Sequence, residues 1–180
     1  MSLLSYKRIM LKLVLSVLSG TNRARLLKRI KFFHAQGSNC RFYVLDFGTE
    51  PYLISFGNNV ELASDVKLVT HNDAVSVFRK MTDYSIDDVG TIEIGDNVFV
   101  GTRAILLPNI KIGSNVIIGA GAIVNKDVCD GSIVAGVPAR QIGKVDDWIE
   151  KRISVSRGYP WIDSGNSKKL RIKYFWEDEV

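Results

Sequence analysis

The amino-acid sequence predicts a mainly β fold, a parallel β-helix, from three observations on residues 94–129. The run repeats every six positions, beginning Ile94-Gly95-Asp96-Asn97-Val98-Phe99 and ending with Val124 to Cys129. In all six hexads the first position is aliphatic and the fifth is Val, Ala or Ile. Gly fills the second position in four of the six. A period of six is neither the 3.6 of a helix nor the 2 of one long strand. It fits a coil in which each hexad supplies one flat side and a turn, so three hexads close one rung. Each rung buries its first and fifth positions against the rungs above and below, because an isolated repeat has no core of its own. Gly at the second position is expected to provide the unusual backbone angles of a sharp corner. Asp-Asn, Ser-Asn and Pro-Asn at the third and fourth positions are turn formers.

Upstream of the prism lies a basic helical segment, residues 1–38. Residues 1–45 carry nine Lys or Arg and no Asp or Glu, while the rest of the chain holds 15 basic and 19 acidic residues. Ile9, Leu13, Val17 and Met10, Val14, Leu18 have helical spacing and predict an amphipathic helix. A second helix is expected over Arg23 to Phe33. The first helix is expected to cap the open end of the stack by its apolar stripe, since solenoids need end caps. Two other readings of such a helix are peripheral contact with an anionic membrane face and a nucleic-acid contact. Capping outweighs both, and no nucleic-acid partner is expected.

The β-helix itself is expected over residues 39–144. Phe56 to Glu61, Leu62 to Lys67 and Leu68 to Asp73 keep the hexad register, except that Asn72 replaces an aliphatic fifth residue. Val44 to Thr49 reads as an earlier, poorer coil. Between Asp73 and Asp88 the rule fails. Ala74 to Arg79 is open to being one more side of the prism, whereas Lys80 to Asp87 reads as a loop thrown out of it, so an ejected loop is placed at about 74–90. Loops on a rigid scaffold often carry function. From Val145 onward a C-terminal helix and tail follow, residues 145–180. The aromatics of Tyr159-Pro160-Trp161 and of Lys173 to Val180 are left to pack on the prism or on a neighbouring subunit. Two cysteines, Cys40 and Cys129, without CxxC spacing suggest a reduced, cytoplasmic protein. Met10 to Leu18 is too short and too interrupted to span a bilayer.

Four segments resemble the hexapeptide-repeat acyltransferases, and most closely the sugar O-acetyltransferases: galactoside and maltose acetyltransferases and those that decorate capsule or lipopolysaccharide. They are Val69-Thr70-His71-Asn72-Asp73, the hexad pair at 94–101, Ile118 to Asp127, and the exit Ala135-Gly136-Val137-Pro138-Ala139-Arg140. Together they cover residues 44–144. The resemblance implies a left-handed β-helix, although parallel crossovers in general favour the right hand. It also implies a homotrimer with active sites in the grooves between prisms, and acetyl-CoA as acyl donor.

Acyl transfer from a thioester to a hydroxyl needs a general base, and a neutral imidazole suits that work near pH 7. His71 stands at a hexad corner just before the ejected loop, where the resembling enzymes place one His. It is therefore the expected base, with Asn72 orienting either the ring or the acceptor and Asp73 contacting the sugar or polarising the ring. His34, near a Gly-Ser break, reads as a surface or capping residue. The resemblance assigns Thr102, Ala120, Asn125, Lys126 and Arg140 to the acetyl-CoA site, Arg140 toward a phosphate. Asn125 departs from the Thr often found there, and Arg103 and Lys144 are weaker candidates. Direct attack of the acceptor hydroxyl needs no covalent enzyme intermediate, and neither cysteine has a nucleophile's setting.

The expected activity is acetyl transfer to a sugar hydroxyl of a surface glycan or its precursor, the basic helix favouring a lipid-linked one. An antibiotic O-acetyltransferase of the chloramphenicol or streptogramin kind is the alternative enzyme, and a non-catalytic β-helix assembly module the alternative class. A γ-type carbonic anhydrase on the same scaffold fails, because it needs three zinc-binding histidines and only His34 and His71 exist; no metal is expected.

Overall fold

The computed structural model describes residues 3–82, 84–162 and 167–177. Parts of the expected N-terminal segment, ejected loop and aromatic tail (Met1, Ser2, Asp83, Asp163 to Asn166 and 178–180) lie outside the described residues. The chain divides into two compact units, after Val145.

The first unit opens with α1 (Leu3–Ser16) and α2 (Gly20–Arg29). Thirteen short strands follow: β1 (Ala35–Gln36), β2 (Arg41–Phe42), β3 (Ile54–Phe56), β4 (Val60–Leu62), β5 (Lys67–Leu68), β6 (Ile92–Ile94), β7 (Val98–Val100), β8 (Ile105–Leu106), β9 (Ile110–Ile112), β10 (Val116–Ile118), β11 (Ile123–Val124), β12 (Ser132–Ala135) and β13 (Arg140–Lys144). A short helix, α3 (Ala74–Phe78), sits in the long connection between β5 and β6. It is mostly exposed, so Ala74 to Arg79 is part of the ejected loop and not a side of the prism.

The strands form three parallel faces. The first is β1-β3-β6-β9, the second β2-β4-β7-β10-β12, and the third β5-β8-β11, while β13 returns antiparallel along β12. Register follows the expected 18-residue rung where Ile94 faces Ile112, Val100 faces Ile118 and Leu106 faces Val124. All twelve first and fifth positions between Ile94 and Val128 are buried. This is the burial that a period of six demands.

Departures from the period fall on one edge of the prism, where the third face turns back to the first. Gln36 faces Phe56 and Phe42 faces Leu62, so the first rung is two residues long of 18 and not in the register expected for Val44 to Thr49. Phe56 faces Ile94, the difference being the ejected loop. Val128 bridges to Ile112, so the last rung is two residues short and Val128 stands in the column of first positions. The other two edges keep their spacing throughout.

The corners correct one expectation. The second-position glycines do not have left-handed backbone; the fourth positions do, at Asn97, Arg103, Asn109, Asn115 and Gly121, with φ from 55° to 69°. Asn tolerates this region better than most residues because its short amide bonds locally. The amides also stack: Asn59 Nδ2 donates to Asn97 Oδ1 at 2.9 Å, and Asn97 Nδ2 to Asn115 Oδ1 at 2.9 Å. The glycines are needed for a different reason. A Cβ on Gly101 would stand 2.5 Å from the Ala120 backbone nitrogen of the next rung.

The N-terminal end of the prism is closed by aromatic packing. Phe33 meets Phe42 and Phe56 at ring separations of 5.9 and 4.9 Å, and Phe47 joins them. Leu27 and Ala24 of α2 are buried over this cluster. Ser19 caps α2 by accepting from Asn22 N–H. The cap forms as expected, but α1 contributes through Leu15 and Leu11, not through the predicted stripe. Ile9, Met10, Leu13, Val14 and Val17 are exposed instead, Val17 by 83%. Arg23 locks the two helices to the prism, donating to the carbonyls of Leu15 and Phe42.

The second unit contains most of α4 (Val145–Arg157), the expected C-terminal helix, and α5 (Ser167–Trp176). Its aromatics pack on one another. Tyr159 stacks on Trp161 at 4.5 Å, Tyr174 meets Trp161 edge-on at 5.3 Å, and the Arg171 guanidinium lies 5.5 Å from the Trp161 ring centre.

Candidate active site

His71 leaves the prism at the irregular edge, directly after β5. Its backbone pairs with Val89, and Gly90 N–H donates to the Thr70 carbonyl, so both ends of the ejected loop are pinned at this point. The side chain is about one third exposed.

Glu50 comes onto this corner from the rung before. It lies in the lengthened turn that carries the short 3₁₀ segment Pro51–Leu53. One Glu50 oxygen, Oε2, accepts from Thr49 Oγ1 at 2.7 Å and from Thr70 Oγ1 at 2.7 Å. The same oxygen lies 2.8 Å from His71 Nδ1. Burial pushes the Glu50 carboxyl up, but the hydrogen bonds from Thr49, Thr70 and His71 outweigh it and hold the group below its ordinary value. An ionised carboxylate only accepts, so Nδ1 carries the hydrogen and Nε2 is left as the basic nitrogen. The Glu50 hydrogen bond raises the His71 pKa; partial desolvation lowers it, and the charges of Glu50 and Asp73 raise it further, for a net upward shift.

Glu50 was not among the residues expected at the site. Reading the first rung as 18 residues puts Glu50 out of line with Thr70; the observed register of 20, as in Phe42 against Leu62, aligns them. The signal was the pair of residues inserted before Ile54.

Asp73 reaches the free side of the ring, with Oδ2 3.4 Å from Nε2, and is almost fully exposed. Asn72 turns away from the imidazole. Its Nδ2 donates to Asp88 Oδ2 at 3.0 Å and its Oδ1 accepts from Ala74 N–H at 3.1 Å, so it ties the neck of the loop.

The expected acetyl-CoA residues divide into two groups. Asn125, Lys126 and Arg140 line one pocket of about 310 Å³ at the C-terminal end of the edge that bears His71. Val69 N–H donates to the Leu106 carbonyl and Leu107 N–H to that of Val124, so Asn125 and Lys126 stand two rungs from Val69 and Thr70. Two rungs span about 10 Å. Neither Lys126 nor Arg140 enters an ion pair among the described residues. Thr102 and Ala120 stack one rung apart on a different edge, with Gly121 N–H on the Thr102 carbonyl at 2.8 Å. Within one chain the third face separates them from His71. Arg103 lies on that second edge, 3.9 Å from Asp65.

His34 is exposed at the start of the first face. Cys40 is buried against the carbonyls of Ser38 and Gly57, and burial raises its thiol pKa. Among the described residues no three or more His, Cys, Asp or Glu converge as a metal site, and no helix is long and apolar enough to cross a membrane. A further cavity of about 670 Å³ ends at Thr70 and His71, walled by Leu11, Leu15, Phe32, Leu45, Phe47 and Tyr52.

Residues 91–126 match the bacterial transferase hexapeptide family (six repeats). The chain is 41% identical over 169 residues to Protein CapG of Staphylococcus aureus, covering 92% of this chain and 94% of that protein. It is 38% identical over 100 residues to the galactoside O-acetyltransferase of Escherichia coli, covering 54% of this chain and about half (47%) of that enzyme. The structure of a maltose O-acetyltransferase from Clostridium difficile superposes with a TM-score of 0.54 at 24% identity, covering 78% of this chain and 85% of that one. That likeness is one of fold, and the fold is a left-handed parallel β-helix. With CapG aligned over nearly the whole of both chains and the six repeats matched at residues 91–126, the chain belongs to the hexapeptide-repeat acyltransferases, of the sugar O-acetyltransferase kind.

Proposed function

We propose that this chain transfers an acetyl group from acetyl-CoA to a sugar hydroxyl of a surface glycan or its precursor, with His71 as general base. The observation that carries this is the Glu50–His71 pair, which leaves Nε2 as the basic nitrogen, with the exposed Asp73 carboxylate 3.4 Å from it, on the edge that also bears Lys126 and Arg140. His71 Nε2 removes the acceptor hydroxyl proton as the oxygen bonds to the thioester carbonyl carbon. Glu50 balances the imidazolium so formed. When the C–S bond breaks, the ring returns the proton to the departing sulfur. Lys126 and Arg140 hold the phosphates of the donor, and Asn125 bonds its pantetheine arm. Asn72 fixes the loop neck beside the base, and Asp73, on the open side of the ring, meets the sugar.

A homotrimer completes the site. In the later rungs the outward positions of the second face are apolar, with Phe99, Ile117 and Ile133 side by side, as are Ile105 and Ile123 on the third, while Arg41, Glu61 and Lys67 take those columns in the earlier rungs. The first face carries Glu93 and Lys111 instead. Packing through the two apolar faces brings a neighbour's Thr102 and Ala120 toward the His71 edge, which supports a groove built from two chains. The exposed apolar side of α1, in a segment without acidic residues, supports peripheral contact with the inner face of an anionic membrane.

The test is thiol release from acetyl-CoA with a panel of sugars, nucleotide sugars and chloramphenicol. Release with a sugar that disappears in His71→Ala supports the proposal; release with chloramphenicol alone favours an antibiotic-modifying enzyme, and release with none sinks both.

A further inference from the structure

The cavity that ends at His71 is built for something other than a free sugar. Thr49, Thr70 and His71 lie together in its lining, all three on the Glu50 carboxylate. Elsewhere the walls are Leu11, Leu15, Phe32, Leu45, Phe47 and Tyr52, and the one charged pair at the rim, Lys12 with Asp46, satisfies itself at 2.9 Å. Sugar hydroxyls set against those walls lose their hydrogen bonds to water and gain none. The volume of about 670 Å³ lies within the range of whole-ligand pockets and leaves room beyond a single pyranose ring at the histidine.

From this we infer that the cavity holds an aliphatic chain joined to the acceptor sugar: the sugar is presented on a lipid, its hydroxyl at Nε2 and its chain between α1 and the turn from Leu45 to Tyr52. The inference rests on the acetyl-transfer reading above and names the substrate class for that site. The surroundings fit such a substrate. Leu11 and Leu15 of α1 wall the cavity, while Ile9, Leu13 and Val14 of the same helix, and Val17 just after it, lie exposed. The first 45 residues carry nine basic and no acidic side chains, matching the negative surface of an anionic bilayer. A lipid-borne acceptor thus enters from the membrane side along α1, and acetyl-CoA reaches the same histidine from the far end of the edge.

Binding of octyl β-D-glucopyranoside, below its micelle concentration, is compared with that of methyl β-D-glucopyranoside by calorimetry on the full chain. Each buried methylene adds severalfold, so the octyl glycoside is expected to bind at least about tenfold more tightly. Leu45→Asp and Tyr52→Ala, both on partly exposed cavity walls, are expected to remove that preference while acetyl-CoA binding is unchanged. No preference between the glycosides, weak binding of both included, overturns the inference. So does a preference that survives both variants, because the chain then lies elsewhere. Thiol release is scored separately: if no sugar or glycoside in any form supports it, the acetyl-transfer reading fails, whatever the calorimeter shows.

Discussion

Glu50→Gln separates the charge of the histidine's partner from its shape. Gln keeps an oxygen where Glu50 Oε2 accepts from His71 Nδ1 at 2.8 Å and from the hydroxyls of Thr49 and Thr70. It removes the negative charge. As the proposed base, His71 works only when neutral, so kcat/KM is expected to climb through its pKa as pH rises. In the parent enzyme that limb lies above the ordinary imidazole value of 6.5, because the Glu50 bond raises it. Without the carboxylate the limb moves to lower pH. The plateau at high pH falls by about tenfold, because a charge-assisted hydrogen bond is roughly twice as strong as a neutral one and the imidazolium of the transition state loses its counter-charge. Glu50→Ala falls further, and it orphans the buried Thr70 hydroxyl at a cost of about 1–3 kcal/mol in stability. The assay is thiol release between pH 5 and 9, with denaturant unfolding alongside. The pair also has a stability window. The raised His71 pKa adds stability that is full below 6.5 and fades as pH rises through the folded value, while the depressed Glu50 pKa adds stability present above 4.5 and lost on further acidification. An acid limb in Glu50→Gln that stays in place or moves upward would refute the assignment of Glu50 to the base.

Other outcomes follow from the same geometry. His71→Ala is expected to lower kcat by about 10²–10⁴-fold with acetyl-CoA affinity retained, by equilibrium binding. Arg140→Ala is expected to weaken acetyl-CoA binding with little change in kcat at saturation, read from initial rates at varied donor concentration. Ile118→Ala, at a fully buried position, is expected to cost about 2–5 kcal/mol in urea unfolding. Leu13→Glu combined with Val17→Glu is expected to abolish flotation with anionic liposomes and to leave the fold intact, since both residues are exposed; equal flotation by parent and variant removes the membrane contact.

The period of six was legible because burial enforces it: a polar residue at Val98 or Leu106 would stand in the core of a prism only three faces wide. His71 was legible because it stands at a corner just before the pattern breaks, where the resembling enzymes place one His. Glu50 was hidden because the first rung holds two more residues than the 18 of the regular repeat, and a fixed period points past it. The glycines were legible as requirements but not for their reason, since a crowded neighbour and a left-handed backbone leave the same residue in a sequence. The stripe on α1 was seen but its direction was not: helical spacing gives a face, and which face the core takes was decided by Leu11 and Leu15 lying against the aromatic plug.

Because residues are gained and lost along a single edge, the stack tolerates change there without shifting any strand against its neighbours. A segment of 20 residues has been spliced into that edge and the rungs on either side still meet in step. The segment beside His71 can therefore be rewritten while the stacked amides and aliphatic columns keep every rung in place.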